Sequence, residues 1–219
     1  MAATSKLIDA ELAAYLAAFA PAMDDDLREL QQSAIAEGLP IIGNDVVSFL
    51  SVVLALKKPE RMLEIGCCIG FSALLMARQA QAEVYTIDRY PVMISRAREN
   101  FARLDKHGLI TLLEGDAAAI LPSLAERGEQ FDMIFLDAGK GQYNRFFPLC
   151  LELLKGGGAL LADDVLQGGS VAWDIEKIEK RQRTTFRNLN EFLNDATSME
   201  GLKSAILPIG DGLLVCVKE

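Results

Sequence analysis

From Arg61 onward, short apolar runs alternate with amphipathic stretches, and few architectures accept that alternation. The runs are Met62–Ile65, Val84–Ile87, Ile110–Leu113, Met133–Leu136 and Ala159–Ala162. Helical spacing of apolar residues fills the gaps near 70–80, 90–104, 116–126 and 142–154. Strands that are apolar throughout are buried on both faces, and the intervening helices supply the cover. A parallel sheet between two helical layers is expected. The end of the chain departs from the pattern. Ser204–Ile209, the turn Gly210-Asp211-Gly212 and Leu213–Val217 read as a β-hairpin. One strand must then run antiparallel to its neighbours, and the sheet totals seven strands.

Before Arg61 the spacing predicts helices over 8–20, 24–37 and 46–56. Asp24-Asp25-Asp26 places acidic groups at the positive end of the second helix dipole. Asn44 or Asp45 is the expected cap of the third. The reading divides the chain into N-terminal helices (1–57) and a ligand-binding α/β domain (58–219) with a helical insert near 172–197.

Composition removes several classes of function. At 219 residues and 51% hydrophobic content the chain can bury a full core. No apolar run reaches the roughly 18–20 residues that cross a bilayer. The alanine-rich stretch after Lys6 contains Glu11 and lacks a basic leader, so no signal peptide is expected. Cys67, Cys68, Cys150 and Cys216 form no C-x-x-C pair, which suits a reduced, cytoplasmic protein. His107 is the only histidine and falls in a Lys-His-Gly turn. Neither a Ser-His-Asp triad nor a multi-histidine zinc site is therefore expected. The net charge of −9 is not that of a typical nucleic-acid binder, although an average hides local patches.

The first strand ends at Glu64-Ile65-Gly66, and Gly70 opens the next helix. Glycines allow close backbone approach, and a helix N-terminus presents free N–H groups to an anionic ligand. A tight turn with no ligand is the plainer alternative. The glycine offsets in Gly66-Cys67-Cys68-Ile69-Gly70 do not make G-x-G-x-x-G, which argues against a dinucleotide. Asp88 ends the second strand, 22 residues after Gly66, where a carboxylate can accept the ribose hydroxyls of an adenosine. Asp116 and Ala117 follow the third strand and border the expected adenine position; Asp116 reads equally well as a helix N-cap. Glu64, Gly66, Gly70, Ser72, Asp88, Asp116, Ala117 and Asp137 make up the expected cofactor set.

Asp137 closes the fourth strand, and Asp163-Asp164 close the fifth, its expected neighbour. Three carboxylates at one sheet edge repel unless a cation joins them, and an oxygen-only set suits Mg²⁺ or a similar hard ion. Separate solvated strand ends are the alternative. Lys140 lies three residues after Asp137; beside a divalent cation its pKa would fall, making it a candidate base.

These residues together resemble the metal-dependent O-methyltransferases of the catechol and caffeoyl-CoA type. The similarity runs from about Pro40 to the C-terminus, through E-x-G-x-x-x-G, the distal Asp88, D-x-x-K and the paired D-D/N. It implies a Rossmann-like class I methyltransferase fold and a homodimer. It implies S-adenosylmethionine bound by Glu64 and Asp88, metal bound by Asp137, Asp163 and Asp164, and Lys140 as base with Asp137 in the catalytic pair. The family usually has Asn at the last metal position, where this chain has Asp164. The segment 137–147 and the ending Ile206–Leu213 are most similar to bacterial tRNA 5-hydroxyuridine O-methyltransferases. That likeness implies tRNA as substrate, with 5-hydroxyuridine converted to 5-methoxyuridine. A small catechol or phenol is the alternative substrate, and a non-catalytic nucleotide- or RNA-binding module the remote one.

The segment after Asp164 bears on that choice. Lys177, Lys180, Arg181, Arg183 and Arg187 stand against Glu179 alone. On a continuous helix at about 100° per residue they would share an arc of roughly 160°. Ile178, Phe186, Leu189, Phe192 and Leu193 would face the other way. A basic face of this kind fits phosphates; a solvated charged face is the alternative.

Overall fold

The computed structural model describes residues 7, 10–19 and 22–219. Met1–Lys6, Ile8, Asp9, Ala20 and Pro21 lie outside them, and with them the ends of the first expected helix and the leader reading. Three helices come first: α1 (Ala10–Ala17), α2 (Asp25–Ala36) and α3 (Asn44–Lys57). Then β1 (Arg61–Ile65), α4 (Phe71–Ala80), β2 (Glu83–Asp88), α5 (Pro91–Leu104), β3 (Ile110–Glu114), α6 (Ala117–Glu126) and β4 (Phe131–Leu136) alternate. The chain continues through α7 (Tyr143–Leu153), β5 (Leu154–Ala162), three 3₁₀ turns between Gln167 and Gln182, α8 (Arg183–Ser198), β6 (Leu202–Leu207) and β7 (Leu213–Lys218).

The seven strands form one sheet in the order β3-β2-β1-β4-β5-β7-β6. β7 runs antiparallel to both β5 and β6, and the remaining pairings are parallel. The apolar runs therefore became a mainly parallel sheet, finished by the hairpin.

Successive strand residues point to opposite faces, and the core splits accordingly. Met62, Val84, Met133, Phe135 and Leu161 pack with α2, α3 and α4 on one face. Leu63, Ile65, Ile134, Leu136, Leu160 and Leu214 pack with α6, α7 and α8 on the other. Leu27, Leu30, Val47, Leu50 and Leu54 bring the N-terminal helices into the first of these cores.

One cap differs from expectation. Gly43 is the N-cap of α3, not Asn44 or Asp45. The Asp45 carboxylate instead accepts from Val46 N (2.9 Å) and from Gly210 N (2.8 Å), which ties α3 to the hairpin turn. Among the described residues, no helix is long and apolar enough to cross a membrane.

Candidate functional site

Strand order reverses direction between β1 and β4, and ligands of open α/β sheets bind outside the strand ends at such a point. A cleft of about 330 Å³ lies there. Gly66 from β1, Asp88 from β2 and Asp137 from β4 all line it, as do Asp116, Ala117 and Lys140.

The loop after β1 has its shape for stated reasons. Gly66 and Cys67 both donate to Ile87 O (3.0 and 3.1 Å), which holds the loop on β2. Gly66 adopts φ 108°, and a Cβ at this position would stand 1.9 Å from Asp137 O. No other residue fits between β1 and β4. Gly70 also has positive φ, but its Cβ would strike the Phe101 ring at 2.4 Å. That glycine admits α5 and does not line the cleft, contrary to the ligand role expected for it.

Asp88 orders the cleft's opposite wall. One carboxylate oxygen accepts from Cys68 N (2.8 Å) and the other from Tyr90 N (2.9 Å). A carboxylate has about four acceptor sites, so each oxygen keeps one for a ligand. Asp116 resolves into both of its readings. It caps α6 through Ala118 N (2.8 Å) while lining the cleft. That bond, with Arg89 beside it, holds its carboxyl below the ordinary value.

Glu64 and Ser72 lie behind the cleft, not on it. Glu64 is fully buried, and its carboxylate accepts the Thr86 hydroxyl, with Ser72 beside it. Its Oε1 has no partner. Burial pushes its carboxyl up to about 7, and the Asp137 and Asp88 charges act the same way.

The aspartates of β4 and β5 do converge electrostatically. Burial lifts Asp137 to about 6, with Asp164 adding to the rise and Lys140 opposing it. Burial, then Asp137 and Asp164, raise Asp163 well above its usual range. The Lys140 ammonium lies 2.5 Å from Asp164 Oδ2. Burial alone would depress Lys140, but the Asp164 and Asp137 carboxylates outweigh it and hold the amine above its ordinary value. Among the described residues, no three acidic, cysteine or histidine side chains stand ready around one point as a metal centre. The donor chemistry suits a hard divalent cation, but Lys140 engages Asp164.

The Lys140 turn is fixed from outside the sheet. Asn188 Nδ2 of α8 donates to Gly141 O at 2.8 Å. Tyr143, the next residue but one, is completely buried. Its hydroxyl reaches Asp163 O (2.9 Å) and Leu136 O (3.2 Å).

The basic segment is not one helix. Ile178 and Glu179 are extended, at ψ 130° and 136°, and α8 starts only at Arg183. Lys177 pairs with Asp174, Arg181 with Glu179, and the Arg183 guanidinium binds the carbonyls of Ile178 and Glu176. The predicted shared arc is lost at Ile178, which is buried. Lys180 and Arg187 remain exposed, with no carboxylate partner among the described residues. His107 is an exposed turn residue, and all four cysteines are free.

Sequence reasoning did not find Arg89 and Tyr90, which line the cleft directly after Asp88. The Arg89 guanidinium lies 5.1 Å from the Tyr90 ring centroid and donates to its hydroxyl at 3.0 Å. Their adjacency to a strand-end carboxylate was the available signal.

Comparison with known proteins places this geometry. Residues 17–219 match the family model described as O-methyltransferase. The catechol O-methyltransferase of Niastella koreensis is 32% identical over 153 residues, 68% of this chain and 69% of that protein. A Staphylococcus aureus structure assigned as a caffeoyl-CoA O-methyltransferase superposes with a TM-score of 0.84 at 26% identity, over 95% of this chain and 98% of its own. The S-adenosylhomocysteine-bound methyltransferase of Podospora anserina has a TM-score of 0.82 at 24% identity, over 97% of both chains, and at that identity shares the fold.

Proposed function

Since the chain belongs to the O-methyltransferase family, we propose that its cleft binds S-adenosylmethionine and that it methylates a hydroxyl oxygen flanked by a second oxygen. The observation that carries this reading is the meeting of Gly66, Asp88 and Asp137, from three adjacent strands, in one cleft. Relatives named for catechol and caffeoyl-CoA, and one solved with S-adenosylhomocysteine, support it.

The bound donor supplies a methyl group on a positively charged sulfur. Asp88 has free acceptor sites for ribose hydroxyls, and its two backbone bonds keep it aimed. Asp137 places negative charge beside the cationic end of such a ligand. Gly66 gives the close backbone approach that a side chain would block. Lys140 is the proposed acceptor of the substrate hydroxyl proton. The ammonium has no lone pair, so this role requires Lys140 to leave Asp164 and lose its own proton first. Asp137, Asp163 and Asp164 would hold a divalent cation, whose chemistry is to lower the pKa of a nearby hydroxyl. Positioning of the two reactants then supplies the largest remaining share of the rate.

A small catechol is the substrate class that the named relatives support. A 5-hydroxyuridine in tRNA is the second reading, favoured by the D-x-x-K-G-Q-Y segment and by the exposed cations Lys180 and Arg187. The test is S-adenosylhomocysteine release with catechol and with tRNA carrying 5-hydroxyuridine as acceptors. Methylation of catechol alone selects the first reading. Methylation of tRNA that is lost in Lys180→Glu/Arg187→Glu, with catechol turnover retained, selects the second. No transfer to either acceptor, with donor and Mg²⁺ present, overturns the proposed function.

A further inference from the structure

Register between β4 and β5 ends at Leu136 and Ala162. The next residues, Asp137 and Asp163, carry the site's carboxylates, and beyond that point one ladder-type bond remains, from Asp163 N to Leu136 O (3.0 Å).

Tyr143 ties the two strand ends together. Its hydroxyl bonds Asp163 O at 2.9 Å and Leu136 O at 3.2 Å, spanning the two strand ends. One hydroxyl thus meets the carbonyl directly before Asp137 and the carbonyl of Asp163 itself. The ring is held edge-on by Phe192 of α8, with centroids 5.4 Å apart and an interplanar angle of 78°. We infer that Tyr143 is a positioning residue: through these backbone bonds it sets where the Asp137 and Asp163 carboxylates stand relative to the cleft.

This inference rests on the proposed methyl transfer, so wild-type turnover is measured first; its absence would count against that proposal and not against Tyr143. Tyr143→Phe removes the hydroxyl and keeps the ring. Its kcat should fall about 10- to 100-fold, the range expected when reacting groups are misplaced by a fraction of an ångström to one ångström. The KM for S-adenosylmethionine should change far less than kcat, because Asp88 and Gly66 are untouched. Phe192→Leu is the structural control. It removes the ring contact and leaves the hydroxyl, so it should lower the Tm while kcat, measured well below that Tm, stays within about twofold. The inference is overturned if Tyr143→Phe retains wild-type kcat, or if Phe192→Leu at matched Tm loses kcat to the same extent.

Discussion

Lys140 and Asp164 form an ion pair at 2.5 Å across the ends of β4 and β5. The backbone of Asp164 is left-handed, at φ 56°, a conformation that Asn and Asp tolerate better than other side chains. Asn at this position therefore keeps the turn and an oxygen donor but releases the amine. Asp164→Asn should retain kcat within about tenfold. Lys140→Met should lose about 100-fold or more, the usual contribution of a positioned proton-transfer group. Steady-state rates with a catechol acceptor decide the matter; a Lys140→Met enzyme at wild-type speed would remove the amine from the chemistry.

The same ion pair bears on cation binding. The ammonium neutralises part of the charge of Asp137, Asp163 and Asp164. Removing it leaves three carboxylates without their cation. Calorimetric titration should show Lys140→Met binding Mg²⁺ at least as tightly as the wild type, and Asp137→Asn binding it more weakly. Equal affinity in all three proteins would place the ion elsewhere.

Gly66 and Gly108 both have positive φ, but their surroundings differ. A Cβ on Gly108 meets nothing within 4 Å, whereas one on Gly66 stands 1.9 Å from Asp137 O. Gly108→Ala should cost about 1–2 kcal/mol, the left-handed penalty alone. Gly66→Ala adds a backbone clash and should cost more than about 4 kcal/mol or abolish folding. Denaturant unfolding of the two variants compares them directly, and equal losses would mean that β1 and β4 can part without penalty.

The sheet was legible because its evidence is one-dimensional: uninterrupted apolar runs such as Met133–Leu136 require cover on both faces. Asp88 and Asp137 were legible for a related reason, since strand ends at a switch point face a crevice. What escaped notice depends on contacts between distant segments. Gly70 looked like a ligand glycine until Phe101 was found beside it. Glu64 ends the right strand, but Thr86 and Ser72 consume it in the interior. The basic segment met the helical spacing rule, yet Ile178 turned inward and the backbone extended there. A wheel drawn over one segment cannot register that burial.

Asp88 offers a prediction that separates binding from chemistry. It bonds the cofactor loop and the start of α5, and it lines the cleft. Asp88→Ala removes the proposed ribose acceptors together with the two loop bonds. The dissociation constant for S-adenosylmethionine should rise about 100-fold, as expected for two lost hydrogen bonds to a charged group. At saturating donor, kcat should recover most of its wild-type value. A variant with unchanged affinity would show that the ribose is not held there.

Glu64 gives the fold a pH dependence of predictable sign. Its carboxyl is raised from 4.5 to about 7, chiefly by burial, and Oε1 is unpartnered. Between those values the folded state keeps a proton that the unfolded chain has released. Stability associated with the neutral form is therefore complete below the unfolded value and is lost as pH rises through about 7. At about 1.4 kcal/mol per pH unit, the difference between about 7 and 4.5 amounts to about 3 kcal/mol. Glu64→Gln carries no charge at any pH and escapes this loss. Near pH 4.5 the wild type and the variant should differ little from this source; by pH 8 the variant should gain on the wild type by about 3 kcal/mol. Asp137 and Asp163 titrate in both proteins, so the change in the difference between them isolates Glu64. Unfolding curves at the two pH values measure it. A constant difference would mean that water reaches the ionised carboxylate in the folded protein, and that the seal beneath the cofactor loop is open.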